Sequence, residues 1–125
     1  MQSDRMTAEA ECPVRATVRL LGRKYKSVII WNLSHGTMRF SEIQAKMPDA
    51  TGKMVTKQLR ELEADGLVER RVYPVVPPRT EYSLTEFGRS AVPLIMHMAQ
   101  WGIAYLDREG LPVADCGREC CGGHV

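Results

Sequence analysis

Cationic and hydroxylic side chains cluster between positions 51 and 60: Thr51, Lys53, Thr56, Lys57 and Arg60. Groups of this kind pair with phosphate oxygens and with the acceptor edges of bases. At helical spacing they leave Val55, Leu59 and Leu62 on the opposite face, at i, i+4 and i+7. The acids Glu61, Glu63 and Asp65 follow at the far end. A helix that merely meets water favours acids in its first turn and cations in its last, matching the macrodipole. Here the order is reversed. The reversal costs roughly 0.3–1 kcal/mol per charge in an isolated helix, and a polyanionic partner offsets it.

Other candidates for phosphate contact stand on either side. Lys24 and Lys26 precede an apolar segment, and Arg39 and Ser41 lie at the start of a short polar one. A helix opened at Ser41 would offer free backbone N–H groups to a phosphate. Pro77, Pro78, Arg79 and Thr80 make a stiff turn carrying one guanidinium, suited to a minor groove or a phosphate. The bland reading of the two prolines is a rigid turn and no more.

The cysteines suggest different chemistry. Cys12 precedes Pro13 at a predicted helix start with Arg15 nearby, a setting that favours thiolate. It is either a redox or electrophile switch or a small half-buried side chain at a contact. Cys116, Cys120, Cys121 and His124 supply enough ligands for a tetrahedral Zn or other soft-metal site, although their spacing matches no familiar zinc finger. Disulfide exchange with Cys12 and a disordered glycine-flanked tail are the other options for this cluster. No cofactor is otherwise required.

The elements that must position these groups follow from periodicity. Pro13 suits the first position of a helix, Val14, Val18 and Leu21 give it a stripe, and Gly22 ends it. Tyr25 to Ser34 is apolar nearly all round, as a central core helix would be. Met38 to Phe40 reads as a very short strand. Ser41 and Gln44 have capping-box spacing and predict a helix through Lys46. After a turn at Met47–Ala50, Thr51 caps the cationic helix and Gly66 stops it. The period then changes to two: Leu67–Tyr73 and Arg79–Leu84 predict a hairpin. Thr85 caps a last helix with apolar Phe87, Ala91, Leu94, Ile95, Met98, Trp101, Ile103 and Leu106, which Pro93 should kink or split.

A short helix, a tight turn, a longer capped helix and then a hairpin make a winged helix-turn-helix, mainly α with a small β-hairpin wing (α+β). The expected organisation is a flexible arm over 1–11, the domain with its dimerisation helices over 12–106, and a Cys- and Gly-rich tail over 107–125.

Composition narrows the function classes. The chain has 125 residues, 44% of them hydrophobic and 26% charged, enough for one core. Net charge is only +2, yet residues 23–60 carry +6, against zero before them and −4 after them. No apolar run approaches a membrane span and no secretory signal is visible, so the expected location is the cytoplasm. Enzymatic motifs are missing: there is no Gly-rich phosphate loop and no His-x-x-x-His, and His35 and His97 read as surface or dimer-face residues rather than catalytic bases. The expectation is a DNA-binding regulator of double-stranded DNA. The alternative is a winged-helix protein-interaction module.

Several segments resemble the HxlR-type winged helix-turn-helix regulators: Cys12-Pro13-Val14, Gly22-Arg23-Lys24-Tyr25, Arg39-Phe40, Gln58 to Val68 and Tyr73 to Gly88. The resemblance spans about residues 12–102, and the Tyr-Pro-x-x-Pro-Pro-Arg turn is its most specific part. Tyr25 stands where the family usually has Trp, and Thr51-Gly52-Lys53 replaces a more usual Ser-Pro-Lys. The resemblance implies a homodimeric bacterial or archaeal transcription regulator, paired through its first and last helices. It also implies a redox or electrophile switch at Cys12, since some relatives use a cysteine there. Apolar residues on the last helix agree with a dimer, whose two-fold axis would demand a palindromic operator.

Overall fold

The computed structural model describes residues 10–114. Its elements are α1 (Pro13–Leu21), α2 (Lys26–Leu33), β1 (Met38–Arg39), α3 (Phe40–Ala45), α4 (Gly52–Ala64), β2 (Val68–Tyr73), β3 (Arg79–Leu84), α5 (Glu86–Ser90) and α6 (Val92–Arg108). The strands form one antiparallel sheet in the order β1-β3-β2, with Arg39 opposite Glu81 and Arg71 opposite the same residue from the other side. The fold is the expected winged helix-turn-helix.

At the centre lies α2, which buries Ile29, Ile30 and Leu33 almost completely. Around it pack Ile43 of α3, the Val55–Leu59–Leu62 stripe of α4, Leu67, Val68 and Leu84 of the hairpin, and Ile95 of α6. Each large apolar side chain enclosed this way contributes about 1.5–3 kcal/mol.

The helix ends follow the sequence signals closely. Pro13 occupies the first turn of α1 and Gly22 its C-cap. The α4 helix closes as a Schellman motif: Leu67 N–H donates to the Leu62 carbonyl at 2.9 Å and Gly66 N–H to that of Glu63 at 3.0 Å. Gly66 has φ +81, which glycine adopts without strain. Thr85 Oγ1 accepts from Gly88 N–H at 2.9 Å and so caps α5.

Some local expectations are corrected. The strand at 38–40 is one residue shorter, because Phe40 already begins α3. The N-cap is Arg39, not Ser41, and only the return half of a capping box forms there, from Glu42 rather than Gln44, since a guanidinium cannot accept. Arg39 is held extended by pairing with Glu81, so the chain turns into the helix immediately after it. Glu42 Oε1 accepts from Arg39 N–H at 2.8 Å, and Gln44 Nε2 instead donates to the Ala50 carbonyl at 2.7 Å, bracing the turn. The last helix is split at Ala91, with Pro93 in the first turn of α6 where its missing N–H is harmless. That helix continues past Leu106 to Arg108 and ends in a second Schellman motif at Gly110. In the α1 stripe only Leu21 is buried; Val14 and Val18 are exposed.

Candidate nucleic-acid interface

The helix-turn-helix is built by α3, the turn at 46–51 and α4. Met47 and Ala50 are buried beneath the turn and tie it to the core. Thr51 starts α4, its Oγ1 accepting from Met54 N–H at 3.1 Å. The inner face of α4 is anchored twice: by Val55, Leu59 and Leu62, and by Gln58, whose Oε1 accepts from Tyr25 N–H at 3.2 Å. With that face fixed, Thr51, Lys53, Lys57 and Arg60 are exposed and Thr56 is half-buried. Neither acids in the first turn nor cations in the last offset the helix dipole, as the sequence implies.

A second cluster forms at the wing. A groove of about 580 Å³ between the start of α3 and the hairpin tip brings together Arg39, Ser41, Pro78, Arg79 and Thr80. Sequence spacing could not show that these residues meet. They do so because β1 pairs with β3, carrying the α3 start to the foot of the wing. Ser41 lies at the second position of the six-residue α3, and its hydroxyl is not the cap. Arg79 stacks over the Tyr73 ring at 5.0 Å and approaches Glu81 at 3.4 Å, so its guanidinium is steered from both sides. Val76 stands at the tip, 99% exposed.

Lys24 is exposed beside the turn, 3.7 Å from Asp49, whose carboxylate also accepts from the Tyr25 hydroxyl at 3.1 Å. Lys26 is a correction. It is the first residue of α2, and its side chain, expected to reach the DNA backbone, is only 4% exposed. Its ammonium pairs with Glu61 of α4 at 2.8 Å, so it does not reach a phosphate. That hydrogen bond holds the Glu61 carboxyl below the ordinary carboxylate range. Glu61 also lies 3.5 Å from Lys57, one helical turn earlier.

Three residues at this surface escaped the sequence reading. Met54 is exposed in the first turn of α4, an apolar side chain among the polar ones. Arg70 of β2 and Tyr82 of β3 line a recess of about 210 Å³ with Thr56, Arg60 and Glu63. Burial raises the Tyr82 phenol above its ordinary range. The alternation of the hairpin was the available signal, since it puts Arg70 and Tyr82 opposite each other.

Beyond this surface, Cys12 is exposed at the N-cap of α1 and makes no side-chain cap hydrogen bond. Cys116, Cys120, Cys121 and His124 lie outside the described residues. Leu94, Met98, Trp101 and Tyr105 form an exposed stripe along α6, with Trp101 75% exposed and its ring stacked on that of Tyr105. Among the described residues no helix is long and apolar enough to cross a membrane.

Comparison with known proteins places these features. The model of the HxlR-like helix-turn-helix family matches residues 20–110. The uncharacterised HTH-type transcriptional regulator YdeP of Bacillus subtilis is 50% identical over 97 residues, 78% of this chain and 76% of that one. Among solved structures, the redox regulator HypR in its oxidised form superimposes with a TM-score of 0.71 at 47% identity, covering 74% of this chain and 96% of the other. Its reduced form gives 0.75 at 44% identity, over 79% and 98%.

Proposed function

The chain belongs to the HxlR-like helix-turn-helix family, whose members are transcriptional regulators and not enzymes, and on that premise we propose that it binds a palindromic operator in double-stranded DNA as a homodimer. One observation carries the reading: the face of α4 bearing Thr51, Lys53, Thr56, Lys57 and Arg60 is turned away from a fully anchored inner stripe. The first turns of that helix meet base edges in the major groove while its cations and the Arg39–Arg79 groove take phosphates. Met54 offers an apolar contact to a thymine methyl. The stripe of α6, with Val14 and Val18 of α1, pairs with a second copy. Such pairing sets two recognition helices about 34–36 Å apart, one turn of the duplex.

The test is salt dependence on sequences selected from random DNA. Binding falls steeply with log salt, and replacing Lys57 or Arg79 removes roughly one unit of slope. Selection that converges on no sequence, with salt-insensitive capture of a protein instead, would favour the protein-interaction module.

The signal sensed is proposed to be oxidative. HypR is described as a redox regulator, and Cys12 here is exposed at a helix start. Diamide treatment is expected to alter DNA affinity in the wild type and not in Cys12→Ser; an unchanged response in the variant excludes Cys12. A Zn or other soft-metal site at Cys116, Cys120, Cys121 and His124 is a separate proposal from ligand chemistry alone. Less than about 0.2 metal per reduced chain by elemental analysis would count against it. A soluble, cytoplasmic regulator is the setting both proposals assume.

A further inference from the structure

Glu61 is shared by two lysines that hold it very differently. Lys26 reaches across from α2 and meets Oε1 at 2.8 Å with its ammonium enclosed. Lys57 approaches Oε2 at 3.5 Å from the same helix, with its side chain 70% exposed. The first contact is a short, charge-assisted hydrogen bond whose loss would strand a buried cation. The second is a long surface pair in the weaker of the two helical orders, lysine before glutamate. Lys26 is therefore held in place by its burial, whereas Lys57 can leave.

Resting on the DNA-binding reading above, we propose that Lys26 is a positioning residue that frees Lys57 for DNA by occupying the carboxylate which would otherwise retain it. A glutamate one turn from a phosphate-facing lysine has two adverse effects: it competes for the ammonium and it repels the phosphate. A second, internal cation cancels both without itself touching the duplex. The same contact pins α4 to α2 beside the Gln58–Tyr25 hydrogen bond, so the charge is neutralised at a fixed place on the recognition helix.

The experiment measures the salt slope of binding to one mixed-sequence duplex for wild type, Lys57→Gln, Lys26→Met and Lys26→Met/Glu61→Gln, with circular dichroism to show that each is folded. Lys57→Gln lowers the slope by about 0.9, one phosphate contact. Lys26→Met is expected to lower it by a similar amount, although Lys26 contacts no DNA, and the double variant to restore it, because Lys57 then has no acid to hold it. A purely structural role for Lys26 would change melting and leave the slope alone. Should Lys26→Met alone fold poorly, Lys26→Gln, which keeps a donor for Glu61 without its charge, takes its place and is expected to lower the slope in the same direction, with Glu61→Gln added to it restoring the wild-type slope. A wild-type slope in folded Lys26→Met, or a double variant that stays low, overturns the proposal while DNA binding stands. A wild type whose binding ignores salt withdraws both.

Discussion

Gly88→Ala is the substitution whose outcome the packing constrains most tightly. Gly88 is buried in α5, and a Cβ there would lie 2.1 Å from the Leu67 carbonyl oxygen and 3.0 Å from its carbon. Real contacts of that kind stay beyond about 3 Å, so the two segments must separate by roughly an ångström. The obstacle is backbone, which no rotamer change can clear. The same Leu67 oxygen accepts from Thr85 N–H at 3.1 Å, and the Thr85 hydroxyl donates to the Gly66 carbonyl, so separation also strains the cap of α5. Overpacking of this type costs about 1–3 kcal/mol, and a weakened hydrogen bond about 0.5–1.5 more. The helix propensity of alanine returns about 0.5–1. The net expectation is a loss of about 0.5–4 kcal/mol, centred near 2, read as a lower urea midpoint at unchanged slope. A variant as stable as the wild type would mean that α5 does not sit against the end of α4 at this distance, and the account of how the wing joins the helices would fail.

Other outcomes follow from single contacts. Thr51→Ala should lose about 1 kcal/mol in urea denaturation by removing the α4 cap, with Thr51→Ser near neutral; equal loss in both would exclude the hydroxyl. Trp101→Glu should shift the chain to a monomeric mass in analytical ultracentrifugation, since each large side chain buried in a dimer contributes about 1.5–3 kcal/mol, more than tenfold in dissociation constant. A wild type already monomeric at micromolar concentration contradicts the pairing itself. Glu61 contributes a pH dependence: its carboxyl titrates below the ordinary value near 4.5, so its contribution to stability is fully present above that value and is lost as pH falls through the depressed one. Lys26→Met should flatten that acid limb in urea midpoints taken from pH 6 downward, and an unchanged limb would place the depression elsewhere.

Much of the architecture was legible because its signals are local. Pro13, Gly22, Thr51, Gly66 and Thr85 act within a turn of their own position, and all five sit where the helix ends are. Period two found both hairpin strands within a residue. The failures share a different origin. Arg39 became a cap because β1 pairs with a strand far along the chain, and Lys26 went inside because Glu61 waits across the interior; neither partner is visible from neighbouring residues. The convergence of Arg39 and Ser41 with the wing was likewise beyond spacing arguments. Val14 and Val18 show the limit of pattern in another way, since a stripe declares a face without saying what covers it.

The two residues of β1 have an effect out of proportion to their length. By stitching the start of α3 to β3, they join the helix-turn-helix and the wing in one frame. On the operator-binding reading proposed above, a head braced in this way would meet an ill-fitting operator by distorting the duplex rather than itself. Steps that bend easily, at positions no side chain reaches, would then help decide where this regulator settles.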